Sequence, residues 1–304
     1  MESERFKIAS GYALICLIWG STWLAIRIGL ESLTPVISGG LRFLLASLFV
    51  FILMKFKKIK LQTDQHSVRL YLILALFSFS IPFGLVYWAE QFIPSGLASI
   101  LFAVFPFYVI IFSKIAMPES EVTSAQIFGV IIGFAGILII FAEDLKFDFS
   151  NDLLGMLAVL VSSGIQGAIA VMIKKHGGHL NPLSMNFIPL LIAGILMIIT
   201  SLLIENKSTW VFDIRAVGSI FYLALFGTVV TFTTYYWLLK RINVVILSIS
   251  TLITPMVAVF LGWIILGEHF SLQDLIGSGL VLIGILFANF KGIINYYKLK
   301  NTVT

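Results

Sequence analysis

The chain has 304 residues, of which 59% are apolar and 12% charged, with a formal net charge of +5. A soluble globular domain carries roughly 25% charged residues, so this composition, with a mean hydropathy of +1.04, excludes an ordinary water-soluble fold and points to a lipid bilayer. The single cysteine, Cys16, excludes an internal disulfide and reads as a packing residue.

A helix rising 1.5 Å per residue needs about 20 apolar residues to cross a hydrocarbon core of about 30 Å. Ten such runs are predicted, over residues 8–30, 35–54, 69–90, 95–116, 123–142, 152–174, 182–204, 214–239, 242–266 and 271–290. Backbone groups in lipid must be satisfied within their own segment, so the expected fold is an all-α integral membrane bundle of ten transmembrane helices. The first run is too long for a signal-peptide core and no small-residue cleavage site follows it, so it is expected to remain. Thr34-Pro35 and Asn181-Pro182 each place a capping side chain before a proline at the first helical position. Thr123-x-x-Gln126 has capping-box spacing, and Ser271-x-x-Asp274 is a looser relative of it.

The third and eighth runs say the same thing twice. Leu74 to Trp88 reads LALFSFSIPFGLVYW, and Leu223 to Trp237 reads LALFGTVVTFTTYYW. Residues 71–119 aligned on 220–268 share 13 identities in 49 positions, including Pro106/Pro255 and Glu119/Glu268. The offset then becomes 148 for Gly129/Gly277 and Gly136/Gly284. Self-similarity at a fixed offset marks an internal repeat. Two five-helix units are therefore expected, 1–145 and 146–304.

An odd number of crossings leaves each unit on the far side of the membrane, so the second must be inverted relative to the first. Lysine and arginine placement agrees, since cytoplasmic loops gather positive charge. With both termini cytoplasmic, fifteen of these residues fall inside and three outside. The loop after the repeated Tyr-Trp reads AEQ in the first copy and LLKR in the second, as inversion requires. The basic balance thus needs no nucleic acid; it is a membrane signature. Lys55 to Lys60 are placed to touch anionic lipid. No phosphate-binding glycine loop and no zinc spacing occur, and His176-x-x-His179 encloses a Gly-Gly turn, so neither metal nor cofactor is expected.

Inverted repeats support alternating access around a central site. The chain resembles an EamA-type member of the drug/metabolite transporter superfamily. The resemblance rests on WGSTWLAIRIG at 19–29, on Pro35 with Arg42-Phe43, on Pro106, Glu119 and Gly129-x3-Gly133-x2-Gly136, and on the echo at Pro255, Gly267-Glu268 and Gly284-Ile285. It implies ten helices, a substrate cavity between the two halves, and export of amino acids or other small metabolites. A flippase for lipid-linked or other amphipathic substrates, or a drug exporter, is the alternative. An intramembrane enzyme would need a buried catalytic constellation that the spans lack.

The residues that repeat suggest scaffold, and those that do not suggest a ligand. Pro106 and Pro255 are expected to loosen their helices as hinge or packing positions, with substrate contact as the other reading. Glu119 and Glu268 are read as structural acids at helix starts, and Gly129, Gly133 and Gly136 as close-packing positions. Arg27 and Arg42 lie inside apolar runs, where a charge is a functional hypothesis by default; a snorkelling side chain, or an Arg27–Glu31 pair, is the bland reading. Trp19, Trp23 and Arg27 share one helix face, with Ser21 and Thr22 beside it. Thr231, Tyr235 and Tyr236 form a hydroxyl-rich stretch, and Gln166 and Asn186 are amides within spans. The expected substrate site is therefore Trp19, Ser21, Thr22, Trp23, Arg42, Tyr87, Gln166, Asn186, Thr231, Tyr235 and Tyr236. Its rings would take the apolar part of a small amphipathic solute and Arg42 a carboxylate. The expected partners are that solute and the bilayer. Glu90 falls at the outer edge of its run, which weakens proton coupling and favours facilitated export.

Overall fold

The computed structural model describes residues 2–116, 124–141 and 151–301, so Glu119 and the Thr123 cap lie outside the described residues. Among the described residues, eight helices are long and apolar enough to cross a membrane. They are α1 (Glu2–Leu30), α2 (Pro35–Phe56), α3 (Gln65–Ala89), α4 (Ser95–Ala116), α6 (Asn151–His176), α7 (Ser184–Ile204), α8 (Ile214–Leu239) and α9 (Ile246–Leu266). Two more helices, α5 (Ser124–Phe141) and α10 (Leu272–Asn301), pack along each other. Large apolar side chains such as Leu48, Ile199, Leu203 and Phe260 stand exposed on the exterior, the surface a hydrocarbon solvent accepts. The chain is a multi-pass integral membrane protein, consistent with a plasma-membrane location.

The pairings come in matched couples. Helix α1 packs on α8 and α9, and α6 packs on α3 and α4; α2 pairs with α7, α4 with α9, and α5 with α10. Exchanging each helix of the first half for its counterpart in the second leaves this set unchanged. The α5–α10 contact shows it in detail. A Cβ added at Gly136 would lie 2.5 Å from the Gly277 carbonyl oxygen, and one added at Gly284 would lie 2.5 Å from that of Gly129. These are the residues paired at offset 148, each in the other's role.

Prolines set where the helices break. In α4 the regular helix stops at Phe102 and resumes at Phe105, just before Pro106; in α9 a 3-10 turn, Ile249–Leu252, precedes Pro255. A proline ring clashes with the carbonyl four residues back and offers it no N–H. That carbonyl is Phe102 for Pro106, and it accepts a hydrogen bond from Ser163 Oγ at 3.1 Å. It is Ser78 for Pro82, and it accepts from Gln166 Nε2 at 3.0 Å. Helix α6 thus satisfies both orphans, which lipid could not do. The repeated LALF segments each lead into a π-turn, Ala75–Ser80 and Leu225–Val230. Ser80 and Thr228 hydroxyls donate to the carbonyls five residues back, both at 2.8 Å.

Capping differs from the sequence reading in three places. Helix α7 begins at Ser184 rather than at Pro182, and the Asn181 side chain accepts the Leu183 N–H at 2.9 Å in the turn before it. Thr34 makes no side-chain cap; its hydroxyl accepts from Trp210 Nε1 at 2.8 Å. Glu205 takes over, accepting the Val36 and Ile37 N–H groups at 2.8 and 3.0 Å. Likewise Glu268 does not serve the helix that follows it. Its carboxylate accepts the N–H groups of Ser95 and Gly96, at 2.8 and 3.1 Å, and the Ser95 hydroxyl at 2.7 Å. A carboxylate from the second half therefore caps α4 of the first, where the helix dipole favours it. The Ser271–Asp274 box forms as expected, with both bonds at 3.0 Å. Replacing Glu268 by Ala removes a charged cap and is expected to lower unfolding free energy by about 1–2 kcal/mol, read by thermal unfolding in detergent; an unchanged midpoint would contradict the assignment.

Candidate functional site

A cavity lies at the centre of the bundle, with free space of about 100 Å³. That is well below the roughly 300–1,000 Å³ of a typical ligand pocket, so little free space is left between the rings that line it. The first half contributes Trp19, Thr22, Trp23 and Arg42, and the second Gln166, Tyr235 and Tyr236. Trp19 packs against Phe232 and Tyr235 at centroid distances of 5.5 and 5.4 Å, and Trp23 against Phe102 at 5.6 Å. Helix α1 can supply both tryptophans because positions four apart lie one above the other on a helix face.

Arg42 is 1% exposed, on α2. Its Nε donates to Thr228 Oγ1 at 2.9 Å and one Nη to the Gly227 carbonyl at 3.1 Å. Both acceptors belong to the π-turn of α8, whose altered hydrogen-bond register leaves that carbonyl available. The other Nη lies 3.4 Å from the Tyr87 hydroxyl, and the guanidinium sits 4.8 Å over the Phe83 ring. No carboxylate among the described residues forms an ion pair with it.

Of the eleven residues expected at the substrate site, seven line this cavity. The other four lie outside it. Ser21 bonds Tyr222 at 2.5 Å, Tyr87 stands behind Arg42, and Asn186 ties α7 to Thr233 of α8 at 3.3 Å. Thr231 is fully buried, with its hydroxyl unpartnered among the described residues and outside the cavity wall. Gln166 lines the cavity while bonding Ser78, so it is both glue and wall. Sequence reasoning missed Ser78, Ser162, Thr251 and Thr254, which also line the cavity. For Ser78, Thr251 and Thr254 the signal was a hydroxyl one turn or less before Pro82 or Pro255; Ser162 carries none, since it meets the Pro82 carbonyl only through the packing of α6 on α3.

Arg27 corrects the sequence reading. It does not pair with Glu31, which instead takes Arg215 from α8. Its guanidinium donates to the Glu90 backbone carbonyl. Trp237 sits near the end of α8, beneath the Arg241 guanidinium at 4.1 Å.

A helix bundle that is apolar outside and encloses an aromatic chamber with a lone buried guanidinium is built to pass a solute, and the chain is a secondary membrane transporter rather than an enzyme. It belongs to the EamA-like transporter family of the drug/metabolite transporter superfamily, whose family model matches residues 8–142 and again 153–290. It is 31% identical over 292 residues to an uncharacterized transporter of Buchnera aphidicola subsp. Schizaphis graminum, covering 94% of this chain and 97% of that one. It is 26% identical over 284 residues to the uncharacterized transporter YoaV of Bacillus subtilis, covering 93% and 97%. Protein PagO of Salmonella typhimurium is 29% identical over 282 residues, covering 93% and 92%. A protein of solved crystal structure shares the fold, with a TM-score of 0.70 at 18% identity over 93% of this chain and 97% of that one.

Proposed function

We propose that the protein exports amino acids or closely related carboxylate-bearing metabolites by alternating access through the central cavity. The observation that carries this reading is Arg42, a buried guanidinium in a cavity wall with no acid paired to it. A buried charge without a counter-ion is costly, and a substrate carboxylate supplies the missing charge with geometry that suits a guanidinium fork. The surrounding rings suit the apolar remainder of such a solute.

Alternating access is supported by the exchange-related helix pairings and by the twofold match to the family model, which favour two five-helix units, 1–145 and 146–304; the placement of lysine and arginine favours their inversion and cytoplasmic termini. The cavity is lined from both halves of the sequence, and each half brings to it a helix broken before a proline.

The test is counterflow. Proteoliposomes holding the purified protein are preloaded with a panel of unlabelled amino acids, and uptake of labelled tryptophan or threonine is followed. Preloading is expected to accelerate uptake, and Trp19→Ala to weaken apparent affinity roughly tenfold, since each aromatic contact adds about 0.5–1.5 kcal/mol beyond its burial. Absence of counterflow with every amino acid would remove this substrate class and leave other metabolites or lipids.

A further inference from the structure

Helix α3 ends in an acid that the cavity does not use. Glu90, the first residue beyond the Gln65–Ala89 span, has no exposed surface, and both its carboxyl oxygens are without a hydrogen-bond partner among the described residues. Its backbone carbonyl, by contrast, holds the Arg27 guanidinium. A cation and a carboxyl thus stand beside each other unpaired, with the cation on the neutral oxygen. Alongside is a second cavity of about 290 Å³, lined by Arg27, Glu31, Phe92, Pro94, Leu266 and Glu268.

The groups that face Glu90 explain why it stays unpaired. Arg27 faces it from α1, Arg42 from α2, and Glu268 from the connection after α9, with Tyr87 one turn back on α3. Helix α6 packs on this end through Gly155, next to the Ala89 carbonyl, and its nearest acid, Asp152, is exposed. Helix α4 brings only Ser95 and Gly96, which already hold Glu268. Burial pushes the Glu90 carboxyl well above the usual carboxylate range; Arg27 opposes that shift and the Glu268 charge adds to it.

We propose that Glu90 is a proton-binding site that couples solute movement to proton movement, with Arg27 as its switchable counter-charge. In the conformation seen here the neutral acid tolerates burial, and Arg27 rests on the backbone. Loss of the proton creates a buried carboxylate that draws the guanidinium off the carbonyl and onto itself, a charge-assisted pair in place of a neutral acceptor. That displacement moves the end of α1, the helix that carries Trp19 and Trp23 into the central cavity. The cavity beside Arg27 gives the proton its route, and one proton is bound and released per cycle. This reverses the expectation drawn from the sequence, where Glu90 counted as an edge residue. It rests on the transport reading above for its consequence, but not for its chemistry.

The chemistry is read first, by infrared difference spectroscopy of the reconstituted protein titrated with acid and base. Wild-type protein is expected to show a protonated-carboxyl band near neutral pH that is missing in Glu90→Gln and displaced in Glu90→Asp. If the wild-type band is absent, or Glu90→Gln leaves it in place, the proposal is overturned, whatever the transported solute proves to be. The Asp variant decides the question alone if the Gln variant does not fold. The consequence is read by labelled-tryptophan counterflow across pH. Wild-type rates are expected to differ at least about threefold between pH ~5.5 and ~8.5, with Glu90→Gln losing that dependence. A Glu90→Gln profile as steep as wild type, or a sodium gradient that replaces the effect of pH, would overturn the coupling. A protein that shows the infrared band but no amino-acid counterflow would retain the proton site and lose the substrate class.

Discussion

Replacing Arg42 with Leu is expected to abolish amino-acid counterflow while leaving a folded protein. The two halves of this expectation have different sizes for physical reasons. The side chain makes three hydrogen-bond contacts with Thr228, Gly227 and Tyr87, all between helices. Interhelical hydrogen bonds in a bilayer average only about 0.6 kcal/mol each, and deleting the guanidinium also removes a buried charge whose desolvation opposes folding. These effects partly cancel, so the unfolding midpoint should fall by a few degrees at most. Transport has no such compensation, because a carboxylate brought into the same wall would meet rings and a lone carbonyl. Arg42→Lys separates charge from shape: it keeps the positive charge but cannot hold Thr228 and Gly227 in a planar fork, and partial transport with weaker substrate affinity is expected. Wild-type counterflow in Arg42→Leu would show that the guanidinium is a scaffold for the π-turn of α8 and not a substrate group.

Eight of the ten expected spans were legible because a bilayer imposes a length and forbids unsatisfied backbone, two constraints that hydropathy reads directly. Arg42 stood out for the same reason, since a charge inside an apolar run invites a functional reading beside the snorkelling one. The π-turns were not. Ala75–Ser80 and Leu225–Val230 have ordinary helical composition, and what fixes them is a hydroxyl that happens to reach the fifth carbonyl back and, in α8, a guanidinium arriving from another helix. Partner choice was equally hidden. Glu31 lies one turn from Arg27, yet it binds Arg215, 184 residues away, and Glu268 serves a helix 173 residues before it. Local spacing predicts who can meet within a helix; it says nothing about which neighbour arrives from elsewhere. Glu90 shows the cost of reading depth from sequence alone. The end of a hydrophobic run suggests water, but α1, α4, α6 and the Glu268 connection close over that end and bury the Glu90 side chain.

The contact between α5 and α10 should be the least tolerant of added volume. At Gly284 an added Cβ would lie 2.5 Å from both the Gly129 carbonyl oxygen and the Gly133 nitrogen, and 2.8 Å from the Gly133 Cα. Those atoms are backbone, so no rotamer can relieve the overlap, and the helices must separate along their shared length. Without a hydrophobic force between helices in lipid, association rests on the close packing that small residues permit. Gly284→Leu is therefore expected to lose most of the monodisperse folded protein on gel filtration in mild detergent, with Gly136→Leu doing the same through Gly277 and Val281. Gly279 stands on the same helix with nothing within 4 Å of an added Cβ. Gly279→Ala gives the control: it should be neutral or gain up to about 1 kcal/mol from the lower helix cost of alanine. Equal loss in Gly279→Ala and Gly284→Leu would mean that α10 needs glycine for some reason other than its contact with α5. Loss confined to Gly284 and Gly136, the two positions that occupy each other's role in the two halves, would place the constraint on the interface itself.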